Sequence, residues 1–305
     1  MRATDLQRLL ARDEVQVVPL RRGEVGLLAE LHHLGPVALS TGSPGALLTT
    51  WGALGTLQRA PDGSHLLVRE EGMAWLGQDG YHAVGVLGRE GRAFTPRLLF
   101  FGMHGERLHQ VSLTEASDLE ALRSILERHQ GCRHCLRHEA APCADPVPFD
   151  CPGSVIREAW REATSNRDLD ARLEGLGLGR LLLLRAMEGL HSEALDLDAF
   201  RHVLGRLAAQ RLPAYLEVGQ PQGRQGLRAT FEEARLEGDT WALEGGICSL
   251  RLEPTLVDSA WVHTQPWDGR VRVDCFDAQG AAVASLGCPL DACPAVLRGW
   301  EALVG

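Results

Sequence analysis

Two spacings of apolar residues alternate along the chain. Leucines recur every three or four positions in "DLQRLLAR" (5–12), "EVGLLAELHHL" (24–34) and "DLEALRSILERH" (118–129), which predicts amphipathic helices. Between them, "HLLVRE" (65–70), "GMAWLG" (72–77), "HAVGVLG" (82–88), "RLLFFG" (97–102) and "LHQVSL" (108–113) are short runs bounded by glycine, as strands are. A second series follows. Helical spacing returns in "VIREAWREATSNRDLDARLEGLG" (155–177), "GRLLLLRAMEGL" (179–190) and "LDLDAFRHVLGRLAAQ" (195–210). Strand runs then follow in "PAYLEV", "LRATFEEARLEG", "TWALEG", "CSLRLE", "SAWVHTQ" and "RVRVDCFD" (213–277). Successive strands joined by tight turns favour antiparallel pairing, because parallel pairs need long crossovers.

The two series are copies. Setting Phe101 of "RLLFFGMHGERLHQVSL" against Phe276 of "RVDCFDAQGAAVASL" puts Gly105 on Gly280, and the same offset carries Leu122 and Arg123 onto Leu297 and Arg298. Upstream, "PVALSTGSP" (36–44) matches "PAYLEVGQP" (213–221), and "DGYHAVGV" (79–86) faces "DSAWVHTQ" (258–265). The pattern predicts an α+β fold of two repeated lobes, each a large antiparallel sheet with packed helices. The first repeat is expected over residues 1–128 and the second over 154–305. A linker rich in Cys, His and Pro is expected over 129–153.

Composition narrows the partners. The chain of 305 residues has no lysine, so its 31 basic residues are all arginine, and the formal net charge is −9. Excess negative charge argues against a sequence-independent grip on nucleic acid. Arginine's planar fork still offers bidentate holds for carboxylates. No apolar stretch approaches the roughly 18 residues of a membrane span, so no membrane insertion is expected; "RLLLLRAMEGL" is interrupted by Arg185. Charges interspersed with leucines in "MRATDLQRLLARDEVQ" are unlike a signal peptide, and a cytoplasmic location is expected.

The blocks "LGPVALSTG", "RLLFFGMHGERLHQVSL" with "SDLEALRSIL", and "AWVHTQPWDGRVRVDCFDAQG" with "LRGWEALV" together resemble the HemS-like haem-utilisation proteins of bacteria. That family comprises haemin transport and haemin-degrading factors, and the resemblance runs in order along nearly the whole chain. It implies a haem cleft, an importer that delivers haem, an acceptor that receives it, and in some members cleavage of the macrocycle. The family's iron-ligating histidine falls on Arg167, whose protonated guanidinium has no lone pair for iron. The family's propionate-binding arginine falls on Arg180, which is retained, and a further family arginine falls on Arg97. Where the family places a lysine and a Tyr-Gly-x-Arg group, this chain has Gln265, Leu286 and Pro289. His109 is a candidate for a place facing the cleft. Haem binding and trafficking is the function these residues suggest. A haem-independent scaffold or regulator that keeps the duplicated fold is the alternative.

The linker carries separate chemistry. Cys132, Cys135, Cys143 and Cys151 lie within twenty residues, with His134 and His138 interleaved. Thiolates in this pattern can surround zinc tetrahedrally, although a second Cys-x-x-Cys pair is missing and reduced thiols in a linker fit as well. Cys151, Cys288 and Cys293 are each followed by proline. "GLGLGR" (175–180) lacks a preceding strand and predicts a helix C-cap and turn, not a nucleotide loop.

Overall fold

The computed structural model describes residues 4–12, 15–60, 63–69, 72–77, 81–90, 93–136, 151–220 and 222–304. The chain divides into two compact units. The first comprises residues 1–42, 47–142 and 218–227, and the second 43–46, 143–217 and 228–305. No helix among the described residues is long and apolar enough to cross a membrane.

The first half of the sequence forms α1 (Asp5–Leu10), β1 (Val15–Pro19), α2 (Val25–Glu30), β2 (Pro36–Ser43), β3 (Ala46–Ala53), β4 (Thr56–Arg59) and β5 (His65–Val68). It continues with β6 (Gly72–Leu76), β7 (His82–Glu90), β8 (Ala93–Phe94), β9 (Arg97–Phe101), β10 (Arg107–Leu113) and α3 (Leu119–Arg128). The second half forms α4 (Gly153–Glu162), α5 (Asn166–Gly175), α6 (Arg180–Ala186), β11 (Ser192–Leu195), α7 (Leu197–Ala209), β12 (Ala214–Gln220) and β13 (Gly223–Ala229). After these come β14 (Phe231–Glu237), β15 (Thr240–Gly245), β16 (Cys248–Leu252), β17 (Ser259–Thr264), β18 (Val271–Phe276), β19 (Ala282–Gly287) and α8 (Pro294–Val304).

The first unit contains the strand order β1-β7-β9-β10-β2-β3, and the second contains the matching order β11-β17-β18-β19-β12. The meander β6-β5-β4 has its counterpart in β16-β15-β14. The α+β class and the repeat are therefore present in the structure. Within the first unit, strands from both halves of the sequence pair: β13, from the second half, lies beside β6, with Gly223 opposite Leu76 and Leu227 opposite Gly72.

The copies agree down to single residues. Phe101 pairs with Arg107 and Phe100 with His109, a bulge repeated where Phe276 pairs with Ala282 and Cys275 with Ala284. The turns match too, with Gly105 at φ 82° and Gly280 at φ 79°, a region where a Cβ is strained. Gly105 N donates to Gly102 O at 3.0 Å and Gly280 N to Asp277 O at 2.9 Å. The sequence match of "DGYHAVGV" to "DSAWVHTQ" shifts by two residues, because Ser259 occupies against Phe276 the place that His82 occupies against Phe101.

Strand β9 shows how one short run builds two cores. Its Leu98 and Phe100 enter an apolar cluster with Leu27 and Leu28 of α2 and Leu122 and Ile125 of α3. Leu99 and Phe101 point to the other face and pack with Leu6 and Leu9 of α1, Val84, Val86 and Leu136. In the second unit, Trp160 of α4, Leu169 and Leu173 of α5, and Leu183 and Leu184 of α6 pack with Trp261 and Phe276.

Local chemistry explains where the helical pattern over-predicts. The stretch 155–177 is two helices, because Ser165 caps α5 by accepting from Asp168 N at 3.1 Å, and Asp168 in turn accepts from Thr164 N at 2.9 Å. The pattern over 24–34 tightens into a 3₁₀ turn, Leu31–Leu34, before Gly35 at φ 68° and Pro36. "GLGLGR" is the expected C-cap: Gly177 sits at φ 68° and Leu178 N reaches back to Leu173 O at 2.8 Å. Strand β11 is not foreshadowed in the apolar pattern.

Helix α3 supplies a small test. Asp118 caps it by accepting from Ala121 N at 2.9 Å. Asp118→Ala is expected to lower stability by about 1 kcal/mol, read from the urea midpoint at unchanged slope.

Candidate functional site

Helix α1 is short, yet firmly held. A capping box closes its N-terminus, with Gln7 N donating to Thr4 Oγ1 at 3.2 Å and Thr4 N to Gln7 Oε1 at 3.0 Å. Leu6 N donates to the Gly105 carbonyl at 3.0 Å, and Arg107 N donates to Asp5 Oδ2 at 3.2 Å. The helix is thus pinned to the β9–β10 turn, the element that the duplication repeats.

Between α1 and the strands β2, β3, β9 and β10 lies a cleft of about 440 Å³. Alternation along β9 places Arg97, Leu99 and Phe101 on the face that carries α1, and all three line the cleft. Leu9, Leu47 and Leu108 extend its apolar wall. Arg8, Arg12 and Arg107 join Arg97 along it, with Asp5 as the one carboxylate among the described lining residues. Asp5 lies 3.5 Å from Arg8 Nη1, an exposed pair that water screens. A chain with net charge −9 therefore concentrates four guanidinium groups around one apolar hollow. No histidine, cysteine, methionine or tyrosine is among the described lining residues, so the wall presents charge and apolar surface but none of the usual protein ligands for haem iron.

His109 does not line this cleft. Its ring lies on the opposite side of β10, fully buried, where it borders a separate small cavity with Leu28, Leu39, Phe100 and Val111. Nε2 donates to the Trp75 carbonyl at 2.9 Å, and Nδ1 lies 2.7 Å from Thr41 Oγ1. Burial pushes the imidazole down to about 4, against a smaller upward pull from the Trp75 carbonyl, so the ring is neutral at physiological pH. Thr41 Oγ1 continues to Gln225 at 2.8 Å, Gln225 to Thr50 at 2.7 Å, and Arg69 Nη1 donates to Thr50 at 2.7 Å. Arg69 can only donate and the Trp75 carbonyl can only accept. The proton count closes when Gln225 turns its NH₂ to Thr41 and its oxygen to Thr50.

Arg180 opens α6 in the second unit and is held by internal carboxylates. Its Nη2 lies 2.6 Å from Asp170 Oδ1, its Nε 3.2 Å from the same oxygen, and its Nη1 3.4 Å from Asp274 Oδ2. Nη2 also donates to the Asn166 carbonyl at 3.2 Å. Asp274, fully buried on β18, further accepts from Arg272 Nε at 2.8 Å and lies 3.1 Å from His263 Nε2. Burial pushes the Asp274 carboxyl up, but Arg272, Arg180 and His263 overcome it and hold it well below the usual range. Burial likewise depresses His263, against the pull of Asp274, and its ring meets Trp160 edge-on at 5.5 Å. Arg167 is on the first turn of α5, and Gln265 follows β17, buried, its backbone N donating to Arg270 O at 2.8 Å.

Among the linker cysteines, Cys132 is exposed and Cys151 is partly buried against the apolar cluster of the second unit. Cys143, His138 and the side chain of Cys135 lie outside the described residues. Among the described residues, no group of three or more His, Cys, Asp or Glu side chains is placed to hold a metal ion.

Sequence reasoning found Arg97 but missed Arg8, Arg12 and Arg107. The available signal was the i,i+4 spacing of Arg8 and Arg12 on the polar face of a leucine-spaced helix. What joins that face to β9 and β10 is a long-range contact that periodicity does not encode.

No family model matches the sequence, and no curated protein sequence matches it. Solved structures do match. Holo-PhuS, a haem-binding protein from Pseudomonas aeruginosa, superposes with a TM-score of 0.84 at 22% identity, covering 94% of this chain and 86% of that one. ChuS, an E. coli haem oxygenase, superposes with a TM-score of 0.83 at 17% identity, covering 94% of this chain and 88% of the other. The chain has the fold of PhuS and ChuS.

Proposed function

We propose that this chain binds haem or a closely related tetrapyrrole as cargo, in the cleft beside α1, and serves haem trafficking between a delivering importer and an accepting protein. One observation carries the reading: four guanidinium groups surround an apolar wall of Leu9, Leu47, Leu99, Phe101 and Leu108. A flat apolar ring bearing carboxylates matches that arrangement, since its face can cover the leucines while its propionates take the arginine forks. The fold shared with PhuS and ChuS supports the same class of ligand.

The residues fit the carboxylate edge of haem better than its iron. The described lining residues supply no neutral imidazole or thiolate, and Arg167 has no lone pair to give. Recognition then rests on the macrocycle and its propionates, and no bond-breaking step is assigned. Arg180 contributes less than the family resemblance implies, because Asp170 and Asp274 already occupy its donors.

The test is a haemin titration of the full chain followed by the Soret band, repeated with iron-free protoporphyrin. Saturable binding of both, with at least about tenfold weaker haemin binding in Arg97→Ala, is expected from the loss of one charge-assisted hold. Absence of saturation favours the haem-independent scaffold. Binding of haemin but not of the iron-free ring places an iron ligand elsewhere and overturns the cleft reading.

A further inference from the structure

The two copies of the repeat treat one arginine in opposite ways. The alignment that sets Phe101 against Phe276 also carries Arg97 onto Arg272 and Leu99 onto Asp274, and the alignment of "PVALSTGSP" with "PAYLEVGQP" carries Ser40 onto Glu217. The strand registers agree. Arg97 lies between Val86 and Ser112, and Arg272 lies between His263 and Gly287, the same places in the two strand orders. In each copy the arginine and the residue two positions on share one face of the strand.

In the first unit Ser40, Gln110 and Leu99 stand abreast on β2, β10 and β9, and all three line the cleft with Arg97. Neither Ser40 nor Leu99 carries a charge. In the second unit both equivalent places hold carboxylates, and both reach the arginine: Arg272 Nε donates to Asp274 Oδ1 at 2.8 Å and Nη2 to Glu217 Oε2 at 3.4 Å. Arg272 is 3% exposed and Asp274 0%, so the grip is shielded from water. Two acids thus arrive from different strands at positions that line the cleft in the other copy. Their oxygens stand where the first copy leaves room for the carboxylates of a ligand.

We propose that the duplication copied one carboxylate-binding site, that Asp274 and Glu217 are its built-in occupants in the second unit, and that Ser40 and Leu99 keep the first copy open to a carboxylate from outside. Residues 40 and 99 are then specificity determinants of the cleft, and Arg272 marks a second, closed site for the same chemical group. The statement about the cleft rests on the haem reading, whereas the site at Arg272 stands without it. With a built-in carboxylate removed, a small monocarboxylate such as formate or acetate is the ligand class that fits, because it restores a charge-assisted hold in the vacated space.

The closed copy is tested in the full chain with small carboxylates. In Asp274→Ala, sodium formate should raise the thermal unfolding midpoint to a plateau at least about 2 °C higher, while sodium chloride at the same ionic strength does not. Wild type, its site already filled, should respond to the two salts alike. Adding Arg272→Met to Asp274→Ala should remove the formate response. Because Asp274→Ala breaks a buried ion pair, Glu217→Ala is the milder companion: Arg272 keeps Asp274 there, and acetate is the probe.

The open copy is tested by the converse change. Ser40→Glu brings the acid of the second copy into the first and should weaken haemin binding at least about tenfold. Ser40→Gln has the same size and equally lacks the 2.9 Å Ser40–Thr49 hydrogen bond, and should weaken it less than about threefold. A carboxylate effect no larger than that of chloride in both alanine variants, or a formate response that survives Arg272→Met, would overturn the site at Arg272. Equal haemin affinities of Ser40→Glu and Ser40→Gln would overturn the role of residue 40. Haemin uptake absent from the wild type would sink the haem reading instead, with the formate response still deciding the site at Arg272.

Discussion

Replacing Asp274 with alanine is expected to cost about 3–5 kcal/mol of stability, the range seen when one member of a buried ion pair is removed. Asp274 has no exposed surface and is the common acceptor for Arg272, Arg180 and His263. Its loss leaves two guanidinium groups facing a space that held a negative charge. Arg180 retains Asp170 at 2.6 Å, whereas Arg272, buried as well, keeps among the described residues the longer pair with Glu217 at 3.4 Å. Arg272 therefore suffers more, and a triple variant in which Asp274, Arg272 and Arg180 all become apolar should be more stable than the single one.

The pH dependence gives a second readout of the same site. The folded Asp274 carboxyl is held well below its ordinary value, so its contribution is complete above the unfolded carboxylate range. It is lost only as pH falls through the lower, folded value. The difference between wild type and Asp274→Ala in urea unfolding should thus stay flat from about pH 8 to about pH 5 and narrow only in stronger acid. A difference below about 1 kcal/mol near neutral pH would mean that the cluster is not the anchor of the second unit.

The largest effect on binding is expected from Arg97→Ala combined with Arg107→Ala. Each removes one charged hold on a carboxylate at the cleft wall, and together they should weaken haemin binding about 100-fold, at about 1.4 kcal/mol per tenfold step. The contact that docks α1 uses the backbone N of Arg107, which alanine retains, so the wall should keep its shape. The residual binding should also lose salt dependence, because fewer guanidinium groups remain to be screened. Arg123→Ala, on the exposed face of α3, serves as the control and should leave the titration unchanged. If the double variant binds as tightly as the wild type, the ligand sits elsewhere.

The repeat was the most legible feature because local chemistry writes it. A glycine at positive φ, a bulge two residues after the turn and a helix start are each specified by neighbouring residues, so the copies at Gly105 and Gly280 carry their structural meaning in the sequence. The segment "RVRVDCFD" was harder to read. Periodicity marks a strand there, but that Arg272 and Asp274 are interior ions depends on His263, Arg180 and Glu217, brought from three other elements. The cationic cleft was half legible. The family resemblance points to Arg97, whereas Arg8 and Arg12 lie on the polar side of a leucine-spaced helix that is docked on β9 and β10 by the Leu6-to-Gly105 and Arg107-to-Asp5 hydrogen bonds and by the packing of Leu6 and Leu9. His109 lies on the same strand as Arg107 but faces the other side of the sheet, away from the α1 cleft, beyond the bulge between Arg107 and His109.

The placement of β13 beside β6 bears on how such a molecule can be made. A ribosome that has delivered only the first half leaves β6 with a bare edge, and such an edge invites pairing with other nascent chains. The strand that covers it arrives some 150 residues later, so closure is slow and late in synthesis. A gene split at the midpoint would yield two sticky fragments, and the duplication, once interlocked in this way, has no easy route back to separate proteins.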